Sequence, residues 1–155
     1  MEFRNRWHEE TVQKLSPYQN SLSKKEQKKF QLDLLLRVTR RVAEFYDECG
    51  ECQLFQQEIT AYVNELGNMV HLADDVRRKK YGKRLKQMVR HLQGQHKLVS
   101  KGHYVGIWTS IGTGIGVAIG AGMDSVGGGI PIGIGIGVAV GMMLDNKAKK
   151  EDRVI

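Results

Sequence analysis

An all-α protein is the fold class this sequence predicts: a cytosolic helical bundle of about three helices, followed by a two-helix transmembrane glycine-zipper hairpin. Three observations carry this reading. Apolar residues recur at helical spacing between Phe30 and Leu92. Residues 104–144 hold a single charge, Asp124, whereas residues 1–103 hold 20 Lys/Arg and 13 Asp/Glu. Within the charge-poor stretch the glycines fall in four-residue rows. The mean hydropathy of −0.39 therefore averages two unlike halves. The polar half is long enough for one small core.

Taken in order, residues 1–22 show no sustained period and predict a flexible or loosely packed start, with Trp7 as the one docking candidate. The opening MEFRNRWHEETVQKL is polar and lacks the apolar core of a secretory signal, so residues 1–103 are expected to stay where they are made. Ser23-Lys24-Lys25-Glu26 has the form of a capping box. The helix it opens should run to about Glu48, with Phe30, Leu34, Leu35, Val38, Val42 and Phe45 as its stripe. Gly50 breaks it. A second helix is expected over 52–67, with Leu54, Phe55, Ile59, Tyr62, Val63 and Leu66 on one face and Gly67-Asn68 as its stop. A third should span 69–94, with Met69, Leu72, Ala73, Val76, Leu85, Met88, Val89 and Leu92 as its stripe. Short connections make these neighbours antiparallel.

The hairpin follows. Tyr104 to Met123 is uncharged over 20 residues, and Gly128 to Leu144 over 17. At 1.5 Å per residue they reach about 30 Å and about 26 Å, against a hydrocarbon core of about 30 Å. Asp124-Ser125 and Gly127-Gly128-Gly129 read as the turn, with Pro131 in the first turn of the second helix. Gly112, Gly116 and Gly120 form one row, and Gly129, Gly133, Gly137 and Gly141 another. Such rows let backbones approach closely in lipid. Ser110, Gly114, Ala118 and Gly122 lie on roughly the opposite face. A helix with two small faces can take two neighbours, its own hairpin partner and a second copy, so a homo-oligomer is expected.

Two alternatives stand beside the helices. From Ile111 to Gly122 and from Ile130 to Met142, large and small residues alternate, which is the strand period and long enough for a β-hairpin in a barrel. A buried, soluble glycine-rich hairpin is the other. For the helical hairpin, Lys97 and Lys101 before it and Lys147, Lys149, Lys150 and Arg153 after it put both ends in the cytoplasm.

The run His96-Lys97-Leu98-Val99-Ser100 and then Gly102-His103-Tyr104-Val105-Gly106-Ile107-Trp108, leading into the glycine rows, resembles uncharacterised bacterial glycine-zipper proteins. The resemblance covers the C-terminal third and the helix before it. It implies a bacterial origin, hence the cytoplasmic membrane, and a membrane hairpin. It carries no activity and no functional residues.

Two features ahead of the hairpin have chemistry. From Val76 to Gly102 there are ten basic residues and no acidic one. Arg77, Arg78, Lys79, Lys80, Lys83, Arg84, Lys86 and Arg90 are the candidates for anionic-lipid contact, and a solvated face that only sets topology is the alternative. Nucleic acid is not the expected partner, because no aromatic residues are interleaved and no motif is present. Cys49 and Cys52 form a lone C-x-x-C outside any βαβ setting. They read as inert helix-end thiols, as half of a zinc site, or as a redox pair or intersubunit bridge. Zinc needs two further ligands, and His71, His91, His96 and His103 are the candidates. His91 and His96 are five apart, about 140° around a helix, and would share a face only if Gly94 broke it. Glu44, Asp47, Glu48 and Glu51 nearby read as a solvated helix end.

No phosphate loop, nucleophile elbow or H-E-x-x-H occurs, so no enzyme is expected. The organisation predicted is a loose start at 1–22, a cytosolic bundle with its basic juxtamembrane helix at 23–103, a transmembrane hairpin at 104–144 and a basic cytosolic tail at 145–155. The expected role is a self-assembling membrane protein, a pore or membrane-perturbing effector. The alternative is a tethered sensor or adaptor that uses the cysteine pair.

Overall fold

The computed structural model describes residues 2–72, 75–123 and 125–155, and side chains from Arg6 onward. The expected stripe residue Ala73 and turn residue Asp124 lie outside the described residues. The chain is all-helical: α1 (Glu2–Ser21), α2 (Lys24–Lys29), α3 (Leu32–Glu44), α4 (Gly50–His71), α5 (Asp75–Gln95), α6 (His103–Gly122) and α7 (Val126–Lys150). It divides into two compact units, Met1–His96 with Ile155, and Lys97–Val154.

Among its described residues the first unit has five helices, where about three were expected. Its start is not loose. α1 buries Leu15 completely and lies alongside α4 in parallel, since Trp7 Nε1 donates to Thr60 Oγ1 at 2.9 Å and Lys14 Nζ to Asn64 Oδ1 at 3.0 Å. Gly67, expected to stop a helix, sits inside α4 instead. A Cβ there would lie 2.8 Å from the Tyr18 hydroxyl, so the glycine makes room for α1.

The capping box at Ser23 forms as the sequence requires: the Glu26 amide donates to Ser23 Oγ at 3.3 Å, and the Ser23 amide to Glu26 Oε2 at 2.9 Å. The helix it opens ends after six residues. Gln31 takes a left-handed φ of 53° and caps α3. The break has a packing reason. Residues 30 and 32 lie about 200° apart on a continuous helix, yet Phe30 and Leu32 are both buried.

The core gathers Leu35, Val38 and Val42 of α3, Ile59, Val63 and Leu66 of α4, and Leu85, Met88 and Leu92 of α5. Leu54, Leu72 and Val76 were expected in it and are exposed. Val76 is nine residues from Leu85, about half a turn around α5, and cannot share its face.

In the second unit, residues that alternate like strands are helical; the described residues contain no strand, only an isolated bridge between Val99 and Val154. α6 and α7 are each long and apolar enough to cross a membrane. The glycine rows face one another. A Cβ at Gly116 would lie 2.5 Å from the Gly129 carbonyl and 3.1 Å from Gly133 Cα, and one at Gly112 would overlap the Gly133 carbonyl. Around Gly114 and Gly122, by contrast, the space is open. Ile115, Ile119, Ile132 and Ile136 are exposed beside the glycine seam, where they line one apolar groove.

Two boundaries differ from expectation. Gly127, Gly128 and Gly129 belong to α7 rather than to the turn, so Pro131 falls in its second turn. The tail at 145–155 is helical to Lys150, and it buries Asp145 and Ala148. The Asp145 carboxylate accepts from the amides of Tyr104 at 3.1 Å and Val105 at 3.4 Å. It thus satisfies donors that the start of α6 leaves open.

Candidate metal centre

Four side chains of the first unit converge at the start of α4 and the end of α5. α3 stops at Glu44, and residues 45–49 turn the chain. Cys49 then caps α4 in an extended conformation, φ −137° and ψ 111°. Cys52 follows in the first helical turn and is fully buried, while Cys49 is half-buried. Gly50, expected as a break, is the first residue of α4.

The histidines come from the other end. His91 lies in the penultimate turn of α5, and the helix ends at Gln95. His96 is thus past the helix, with its amide donating to the Leu92 carbonyl at 3.2 Å, and Lys97 beyond it takes a φ of 53°. His91 and His96 were expected to share a face only if Gly94 broke the helix; Gly94 lies inside α5, and the two rings meet all the same. Their ring centroids are 5.3 Å apart. Two aromatic side chains seat the rings: Phe45 stacks on His96 at 3.9 Å, and Phe55 meets His91 edge-on at 5.3 Å.

Cys49 Sγ is 3.2 Å from His91 Nε2. Cys52 Sγ is 3.8 Å from the same nitrogen and 3.6 Å from His96 Nε2. The four atoms all lie within 4.8 Å of one another, close enough to hold a metal ion. A tetrahedron with Zn–S of about 2.3 Å and Zn–N of about 2.0–2.1 Å has S···N edges of about 3.6 Å and an S···S edge of about 3.8 Å. Three of the four S···N separations, 3.2, 3.6 and 3.8 Å, bracket the S···N edge. His71 and His103, the other histidine candidates, are not part of the group.

Glu51 lies at the solvated start of α4, as expected, and its Oε2 also lies 2.5 Å from His91 Nδ1. A carboxylate there holds the proton on Nδ1 and leaves the Nε2 lone pair facing the cysteines, as ligating histidines require. Burial pushes the Cys52 thiol up to about 12, and the neighbouring Cys49 and the Glu51 charge add to the rise. Burial and the nearby His91 lower His96, against a smaller opposing effect of Glu48, so its ring favours the neutral, ligating form. A divalent cation is the species that reverses the penalty at Cys52, because a coordinated thiol gives up its proton.

The basic residues of α5 do not act as one set. Arg77 pairs with Glu65 at 3.9 Å, Arg78 with Asp75 at 2.9 Å, and Arg84 with Glu58 through both Nε and Nη2. Lys80 lines a groove of about 630 Å³ between α4 and α5, with Tyr62, Tyr81 and Met88. Lys79, Lys83, Lys86 and Arg90 are exposed. No protein-family model matches the chain, and neither a curated protein nor a solved structure matches it.

Proposed function

We propose that this is a non-enzymatic, membrane-tethered protein whose helical domain carries one zinc ion on Cys49, Cys52, His91 and His96. The observation that supports it is the convergence of these four side chains at tetrahedral separations, with a carboxylate behind one histidine. Two thiolates and two imidazoles suit zinc better than magnesium or calcium, which prefer oxygen ligands. Four protein ligands leave no open position for substrate, so the ion joins the start of α4 to the end of α5 and performs no chemistry. α6 and α7 insert as the tether, with their exposed isoleucines in lipid and their glycines against one another. Lys97 and Lys101 before α6, and Lys147, Lys149 and Lys150 at the end of α7, favour placing the zinc domain in the cytoplasm.

The test is metal content. Full chain purified under reducing conditions should hold one zinc per molecule, and Cys52→Ser should hold none. A folded wild-type chain without zinc, and unable to take it up, overturns the reading.

Self-assembly is a second reading, favoured by the open space at Gly114 and Gly122. Gly112, Gly116, Gly120, Gly129, Gly133, Gly137 and Gly141 are buried within a single hairpin, so association would use the opposite row. Gly114→Leu should then dissociate an oligomer in detergent. A monomeric wild-type chain removes this reading and leaves the tether intact.

A further inference from the structure

We propose that Lys79, Lys83, Lys86 and Arg90 form a docking surface for an anionic lipid leaflet. At 100° per residue these positions fall within about 60° of arc on α5. The core face, centred on Leu85, Met88 and Leu92, lies on the other side of the helix. The packing of the domain therefore sorts its cations. Arg77, Arg78 and Arg84 sit on the flanks and meet carboxylates of Glu65, Asp75 and Glu58. The four outward residues meet no carboxylate within ion-pair distance among the described residues.

The stripe spans twelve residues, about 16 Å along a straight helix. A flat row of cations on that scale suits a planar charged surface. It has no aromatic side chain on which a base could stack, which argues against single-stranded nucleic acid. At one end lies Val76, an apolar side chain 79% exposed at the edge of the same face. A basic face with an exposed apolar residue beside it is the composition of a helix that rests on a membrane interface. Seven residues, at most about 25 Å of extended chain, separate the end of α5 from the start of α6. The proposal rests on the membrane-tether reading, but not on the zinc.

The full chain would be reconstituted into vesicles of phosphatidylcholine alone or with phosphatidylglycerol added. Lysines would then be acylated and the rates read by mass spectrometry. With the anionic lipid, Lys79, Lys83 and Lys86 should react more slowly by roughly five-fold or more, while Lys24 and Lys25 of α2 keep their rates. Molar salt should erase the difference. Equal rates in both vesicles, or the same slowing at Lys24 and Lys25, overturns the docking surface. So does a chain that retains RNA through these four residues yet shows no lipid-dependent protection. The tether is read separately, by flotation with neutral vesicles in molar salt. A chain that floats there with an unprotected stripe keeps the tether and loses the docking surface. A chain that floats with neither vesicle loses both. The variant carrying Lys79→Gln, Lys83→Gln, Lys86→Gln and Arg90→Gln should float in salt like wild type, and its Lys80 should react at the same rate in both vesicles; slower reaction there with the anionic lipid overturns the stripe as the docking surface.

Discussion

Gly114 and Gly116 lie two residues apart on α6, and the same substitution at each should have opposite consequences. A Cβ on Gly116 would sit 2.5 Å from the Gly129 carbonyl, against 3.4 Å for the start of ordinary contact, a shortfall of about 0.9 Å. The obstacle is backbone, which has no rotamer to escape into. α7 must therefore move away, and a gap of 0.5–1 Å forfeits about a quarter to a half of each dispersion contact along the row. Overpacking of this kind costs about 1–3 kcal/mol. The better helix propensity of alanine returns about 1 kcal/mol at most. With that full return, Gly116→Ala should still destabilise the hairpin by up to roughly 2 kcal/mol. A Cβ on Gly114 meets nothing within 4 Å, so Gly114→Ala should be neutral or stabilise by up to about 1 kcal/mol. The assay is unfolding in mixed detergent followed by Trp108 fluorescence, in a Trp7→Phe background so that α6 alone reports. Equal midpoints for the two variants would refute the contact geometry.

Other outcomes follow from the same contacts. Glu51→Gln should weaken zinc binding about 10–100-fold in chelator competition, because His91 loses the carboxylate that orients it; an unchanged affinity would remove Glu51 from the site. Since burial holds the Cys52 thiol near 12, the metal-free chain keeps it protonated at neutral pH, and zinc must displace that proton. Affinity should therefore rise with pH, and calorimetry in buffers of different ionisation enthalpy should show proton release; a buffer-independent heat contradicts this. Asp145→Ala leaves the Tyr104 and Val105 amides without their acceptor and should cost about 1–3 kcal/mol of hairpin stability, with Asp145→Asn costing less because it retains an acceptor.

Much of the helical architecture was legible because helix packing writes itself into local spacing. The four-residue glycine rows and the capping box at Ser23 needed no distant information. The N-terminal helix was illegible for the opposite reason. It has almost no apolar stripe, and its position is set by Trp7, Lys14 and Tyr18 meeting residues about fifty positions away. The break at Gln31 was hidden because Phe30, Leu34, Leu35, Val38 and Val42 suit a continuous helix, and only burial of Leu32 as well demands a kink. At the site, the cysteine pair was visible, and its partners stood among four candidate histidines. By helix direction alone His91 and His96 sit about 140° apart, yet the expected helix stopped at 94 and α5 stops at Gln95, before His96. Four residues separate His91 from His96, within the spacing common at zinc sites that also carry C-x-x-C. That pairing, with Gly94 near the helix end, was the available signal. Glu51 left none, since one acidic residue among four near the cysteines looks like any solvated helix end.

X-ray absorption at the zinc edge, on full chain purified with its metal, reads the ligand set itself. Two sulfur neighbours at about 2.3 Å and two imidazole nitrogens at about 2.0–2.1 Å are expected. The same spectrum from His96→Ala should lose one imidazole. A shell of oxygens, four sulfurs shared between two chains, or an unchanged shell in His96→Ala would contradict a site built by one chain from Cys49, Cys52, His91 and His96.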